Sequence, residues 1–213
     1  MSETEKNELM PTQGETALAP QQGGYVPTMW NDTKMLATAY KAAQYLASSD
    51  LVPEQTYKNK PNNCLIALDI SNRMNISPLL CMQNLYIVRG KPAWSGSFCA
   101  AAINGCGKFT PIEYIFSEDN GGACFVRTTR LSDGKVIEGS PVSMQMARDE
   151  GWVSKSGSKW QTMPRQMMQY RAAAFFARTY CPEVLLGLQT VEEVKDVSGY
   201  DETEKNTVKI VLD

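Results

Sequence analysis

The sequence predicts an α+β fold: a small antiparallel sheet of β-hairpins packed by several helices, with a long basic and apolar helix near the C-terminus. Three features of the chain carry this prediction. Trp160 to Arg178, WQTMPRQMMQYRAAAFFAR, has the composition of one helix that is apolar on almost every side. Ser132-Asp133-Gly134-Lys135 is a hairpin signal between two stretches of strand-like composition, Ala123–Leu131 and Val136–Gly139. Between Asn31 and Ser48, Met35, Leu36, Ala39, Tyr40, Ala43 and Leu46 recur at helical spacing.

In chain order, residues 1–24 are rich in Glu, Thr, Gln, Pro and Gly and read as a disordered acidic tail. A residue among Asn31 to Thr33 caps the first helix. The loop SSDLVPEQTYKNKP leads to a second helix over Asn62–Arg73, with Leu65, Ile66, Leu68 and Ile70, and NISP ends it. Pro78 opens a short turn or helix. Asn84–Val88 has strand content, turning through Arg89-Gly90-Lys91-Pro92 and returning through Trp94. Ser95 or Ser97 caps the helix FCAAAIN, whose small residues predict close packing before Gly105 ends it. Pro111–Phe116 is a further strand, which with the hairpin makes an antiparallel sheet of at least three strands. Val142–Glu150 is a short helix ended by Gly151, and the basic loop SKSGSK leads into Trp160. Pro182 stops the long helix, and Thr190–Asp196 forms one more acidic turn. Residues 197–213 read as an acidic tail with a weak strand pattern in TVKIVL, so the expected organisation is one domain, 25–196, between two tails.

The net charge of −2 conceals an asymmetry. Residues 1–24 hold four acids and one base, and 192–213 hold seven acids and three bases, which leaves 17 bases against 12 acids in between. From Gly151 to Pro182 there is no acid, while Lys155, Lys159, Arg165, Arg171 and Arg178 all fall there. A basic body with acidic ends suits a protein that meets a polyanion; a solvated basic face is the alternative.

Several chemistries are disfavoured. The chain has no histidine, which removes Ser-His and Cys-His catalysis and His-ligated metal sites. Cys64, Cys81, Cys99, Cys106, Cys124 and Cys181 form no C-x-x-C pair and read as reduced core thiols. Gly105–Lys108, GCGK, is too short for a nucleotide phosphate loop and lacks its Ser or Thr. Asp69, Glu113, Asp133 and Glu138 show no ligand spacing, so no catalytic residue, metal or cofactor is expected. The N-terminus MSETEKNELM has no signal-peptide core, and no apolar run approaches the ~18 residues of a membrane span, which predicts a cytoplasmic protein without membrane contact.

The long helix poses the chemical question. At about 100° per residue, Met163, Met167, Tyr170, Ala174 and Ala177 share one side, Met168, Ala172 and Phe175 lie well round from them, and Arg171 and Arg178 stack two turns apart between the groups. Guanidinium groups so desolvated need an anion, either a carboxylate of the fold, with Asp69 and Glu183 as candidates, or a phosphate from outside. Arg165 sits in the first turn, where the helix dipole disfavours a cation and favours a bound anion.

ISPLLCMQNLYIVRGKPAWSG (76–96), a sheet-forming middle, and WQTMPRQMMQYRAAAFFARTYCPEVLLGLQTVEEVKD (160–196) together resemble the RecT family of phage single-strand annealing proteins, which includes the Red-beta recombinase. The likeness spans residues 35 to 196. Its more specific block has a Trp, a Pro followed by a base, the M-x-x-x-R-A core, an Arg seven residues on, then P-E-V-x-x-G-L and T-x-E-E-V. The resemblance implies an ATP-independent, non-enzymatic protein of the bacterial cytoplasm. Such a protein coats single-stranded DNA, holds the annealed duplex, assembles into homo-oligomeric rings or helical filaments, and promotes annealing in phage recombination. It also implies that Arg165, Arg171 and Arg178 hold the DNA backbone. Gln166 stands where some relatives carry a second base, and the chain is short beyond 196, the region through which longer relatives engage a phage exonuclease or host single-strand-binding protein. Lys155 and Lys159 join the expected DNA contacts, and Trp160 is either a platform for a base or a core anchor at the helix entry. Arg89 and Lys91 on the hairpin turn, and Arg127 and Arg130 on the long strand, are secondary phosphate candidates or surface charges. A passive single-strand-binding protein and a carboxylate-dependent metallonuclease are the rival readings.

Overall fold

The computed structural model describes residues 29–88, 90–117 and 122–197. The expected tail over 1–24, the tail beyond Val197 and the candidate Arg89 lie outside them. As the sequence predicts, the fold mixes helices with small antiparallel sheets.

Asp32 caps α1 (Thr33–Ser48), its carboxylate accepting from the backbone N–H groups of Lys34 at 2.7 Å and Met35 at 3.0 Å. These are donors that the first helical turn cannot satisfy itself. Only part of the apolar stripe is buried: Ala43 faces the core and Leu36, Ala39 and Leu46 are half-buried against it, whereas Met35 and Tyr40 remain exposed. α1 packs on α2 (Pro61–Met74), which ends where Asn75 turns left-handed at φ 52, a conformation asparagine tolerates. α3 (Pro78–Asn84) runs directly into β1 (Leu85–Val88), and β1 pairs antiparallel with β2 (Lys91–Trp94). Ser95 then caps α4 (Gly96–Gly105), its Oγ accepting from the Phe98 N–H at 3.2 Å.

The larger sheet is built on β4 (Ala123–Thr129). β3 (Glu113–Ser117) pairs along one edge; on the other edge lie β5 (Val136–Glu138) and β6 (Val142–Ser143). β6 departs from the sequence prediction, which begins a helix at Val142. The helix α5 (Met144–Asp149) starts two residues later, with Ser143 as its cap accepting from the Met146 N–H at 3.1 Å. Two paired residues carry too short an alternation for a strand signal.

The single helix expected from Trp160 to Arg178 is two. α6 (Lys159–Thr162) stops at Met163, whose φ of −137° and ψ of 52° are not helical, and α7 (Pro164–Tyr180) begins beyond it. Pro164 is the cause: its ring pushes the preceding residue out of the helical region, while its missing N–H costs nothing at a helix's first position. α7 is buried on most of its circumference, through Met167, Met168, Ala172, Ala173, Ala174, Phe176 and Ala177. It packs against β4 and α4. The approach of α4 is so close that a Cβ on Gly96 would lie 2.7 Å from the Tyr170 ring. A 3-10 turn (Pro182–Leu185) and a left-handed pair, Leu186 and Gly187, reverse the chain. Thr190 then bridges Trp94 and starts α8 (Val191–Val197).

All six cysteines are free, and all but Cys106 are buried. Burial pushes the thiols of Cys81, Cys99 and Cys181 up to about 12, which suppresses the thiolate that nucleophilic chemistry needs. Among the described residues no helix is long and apolar enough to cross a membrane, and no group of acids and cysteines is placed to hold a metal ion.

Candidate nucleic-acid interface

A cleft of about 480 Å³ opens where the Lys155–Lys159 loop, the first turns of α4 and α7, and α8 meet. Lys155, Lys159 and Lys195 line it beside Ser97, Tyr86 and Tyr170. Its volume falls in the roughly 300–1,000 Å³ range of small-ligand sites. The loop is small and polar, Ser156-Gly157-Ser158, and Gly157 takes φ 68°, a left-handed turn that glycine makes without strain. Tyr86 is 41% exposed, and Gln166 donates to the Tyr170 hydroxyl at 2.6 Å, fixing that ring's edge. Among the described residues, the acids on the cleft wall are Glu192 and Asp196, both from α8.

Arg171 and Arg178 are closed by that same helix. α8 begins with a reciprocal cap: the Glu193 N–H donates to Thr190 Oγ1 at 3.3 Å, and the Thr190 N–H donates to Glu193 Oε2 at 2.9 Å. The cap fixes the Glu193 side chain so that Oε1 meets the Arg178 guanidinium and lies 3.7 Å from Arg171 Nη1. One turn on, Asp196 accepts from Arg171 Nη2 and, at 3.2 Å, from Trp160 Nε1. Arg171 is 4% exposed and its guanidinium also lies 4.0 Å from the Trp152 ring centroid. Burial lowers the pKa of Arg171 and of Arg178, against the pull of Asp196 on the first; both stay cationic. Burial likewise raises the carboxyls of Glu192 and Asp196 above the ordinary carboxylate range.

Of the two anions open to Arg171 and Arg178, a carboxylate of the fold holds both in this structure, Arg171 buried and Arg178 with its side chain 39% exposed. The fold supplies their anions, and from residues other than those expected: Asp69 pairs with Arg73 at 2.9 Å and Glu183 with Lys108. The spacing of the partners was readable, because Glu193 and Asp196 at i and i+3 share a face of α8 that suits two arginines two turns apart. Trp160 is the core anchor of its two readings, 1% exposed with its ring 5.2 Å from Trp152, and offers no face to a base. Lys155 donates to the backbone carbonyls of Lys195, at 2.9 Å, and Asp196, so it caps the end of α8. Arg127 pairs across the strands with Glu138 at 2.8 Å, and Arg130 pairs with Asp133. Lys91 and Lys159 are exposed. Arg165 is exposed too, its guanidinium 3.8 Å from the Phe116 ring centroid, a cation–π contact that leaves its outer edge to solvent. The cleft therefore brings Lys155, Lys159 and Trp160 together, and adds Lys195, Tyr86 and Tyr170, which the sequence analysis does not single out. Lys91, Arg127 and Arg165 are not part of its wall.

The chain matches no protein-family model, no curated protein and no solved structure.

Proposed function

We propose that this chain is a RecT-type single-strand annealing protein: it binds single-stranded DNA without ATP, assembles as a homo-oligomer, and lets complementary strands pair. The observation that carries the reading is the cleft, in which three lysines, a Ser-Gly loop and two tyrosines converge. Lysines answer phosphates as point charges, small polar loop residues let a backbone come close, and aromatic faces accept bases of any sequence. Exposed Lys159 lies on its wall, with exposed Arg165 nearby in sequence on the first turn of α7. No bond chemistry is required. Cations neutralise the phosphates of one strand, its bases stay accessible, and a second strand pairs with them while counterion release drives the binding.

Fluorescence anisotropy of a labelled thymidine oligonucleotide, titrated across a salt series, tests the reading. Log affinity should fall linearly with log salt, and Lys159→Ala and Arg165→Ala should each weaken binding of all sequences alike while reducing the slope by about 0.7. An affinity insensitive to salt, or variants indistinguishable from the wild type, would sink it.

A further inference from the structure

One seven-residue helix holds three of the cations that the sequence singles out. Asp196 and Glu193 take Arg171, Glu193 takes Arg178, and the terminal carbonyls of α8 take Lys155. We propose that α8 is an acidic clasp: its carboxylates occupy in cis the positions that backbone phosphates of a bound single strand would take, and DNA displaces it. The inference rests on the annealing reading above and adds a regulation beside the same cleft, which Lys155 and the α8 acids Glu192 and Asp196 line.

Its attachment suits a movable element. The apolar face of α8 does not join the main core; Val194, with Val191 beside it, packs in a separate small cluster with Val88 and Ala93 of the two-stranded hairpin. Its other contacts include the ion pairs with Arg171 and Arg178, the Lys155 ammonium on its last carbonyls, the Trp160 indole N–H on Asp196 and the bridge from Thr190 to Trp94. Three acids, Glu192, Glu193 and Asp196, meet the two guanidinium groups and the Lys155 ammonium, and Glu192 Oε2 is buried with no hydrogen-bond donor. A polyanion therefore offers the arginines an equivalent partner, while release returns a buried group of carboxylates to water. Displacement would also free the Lys155 ammonium into the cleft that it lines. Phosphate has the geometry for this exchange, because the planar guanidinium fork donates to carboxylate and phosphate oxygens in the same way.

Glu193→Gln isolates the charge, since glutamine at this position can still accept from the Thr190 N–H and keep the reciprocal cap. The full-length protein and this variant are titrated with a labelled 30-nucleotide thymidine strand at fixed salt. In parallel, hydrogen exchange of the peptide covering 191–197 is followed in the wild type with and without the strand. The clasp predicts that DNA lowers amide protection in 191–197, and that Glu193→Gln binds at least about fivefold tighter, the effect of roughly 1 kcal/mol at one site. Binding by the wild type with unchanged or increased protection of 191–197 overturns the clasp and leaves the annealing reading standing. The exchange result decides even if the variant fails to fold. Absence of binding by both proteins at low salt overturns the annealing reading and the clasp with it, whereas binding by the variant alone supports the clasp.

Discussion

Glu192 is buried with its Oε2 short of a hydrogen-bond partner. Burial raises its carboxyl above the ordinary range, against the pull of its own backbone N–H, of Lys195 and of the Gly96 N–H. A carboxyl whose pKa is higher folded than unfolded costs stability wherever it is ionised. That cost is complete above the raised pKa and disappears as pH falls through it towards the unfolded value. Glu192→Gln should therefore raise the thermal midpoint at neutral pH by about 2–4 °C, or about 1 kcal/mol. Melts at neutral and mildly acidic pH check this: the advantage should shrink on acidification, and no gain at neutral pH would contradict it. At this scale the sequence was half legible. That Arg171 needs an anion follows from its apolar surroundings; which anion depends on where α8 lands, and no periodicity within α7 encodes that. Trp160 was ambiguous for the same reason, because a tryptophan beside a basic loop serves a base or a core equally well until Asp196 is seen to hold its indole N–H.

At the scale of elements, most helices were legible because capping residues and apolar spacing agree, as at Asp32 and Ser95. The break at Met163 was written in the sequence as Met-Pro, a local rule that the apolar periodicity on both sides obscured. β6 was not legible at all, since two residues gain strand character only from β4 beside them. The contact that sets the cleft's floor is between elements: α4 approaches α7 through Gly96, with Tyr170 packed where a Cβ would be. Gly96→Ala should cost about 1–3 kcal/mol by overpacking, and Tyr170→Ala in the same chain should recover part of the clash by removing the Cγ and Cδ2 atoms that the new methyl would meet. Urea unfolding of the single and double variants measures both effects. An unchanged midpoint in Gly96→Ala would show that the helices have room to separate.

For the whole molecule, charge was the most informative quantity in the sequence and the least informative about geometry. The acid-free window from Gly151 to Pro182 gathers bases along one stretch of chain. The fold then divides them: Lys159 and Arg165 are exposed, Arg171 is buried against α8, Lys155 is half-buried on the end of that helix, and Arg178 is paired with Glu193 while its side chain stays 39% exposed. Among the described residues, three lysines and two acids of a single helix meet in the cleft of a protein whose net charge is −2. The most direct measurement is the rate at which two complementary labelled oligonucleotides form duplex with the protein present and ATP absent, with and without Mg²⁺. The account predicts duplex formation faster than the spontaneous rate, of intact strands, with or without the metal. Strands that are bound but pair no faster would reveal a passive single-strand binder, and strands shortened in Mg²⁺ would reveal a nuclease; either result contradicts it.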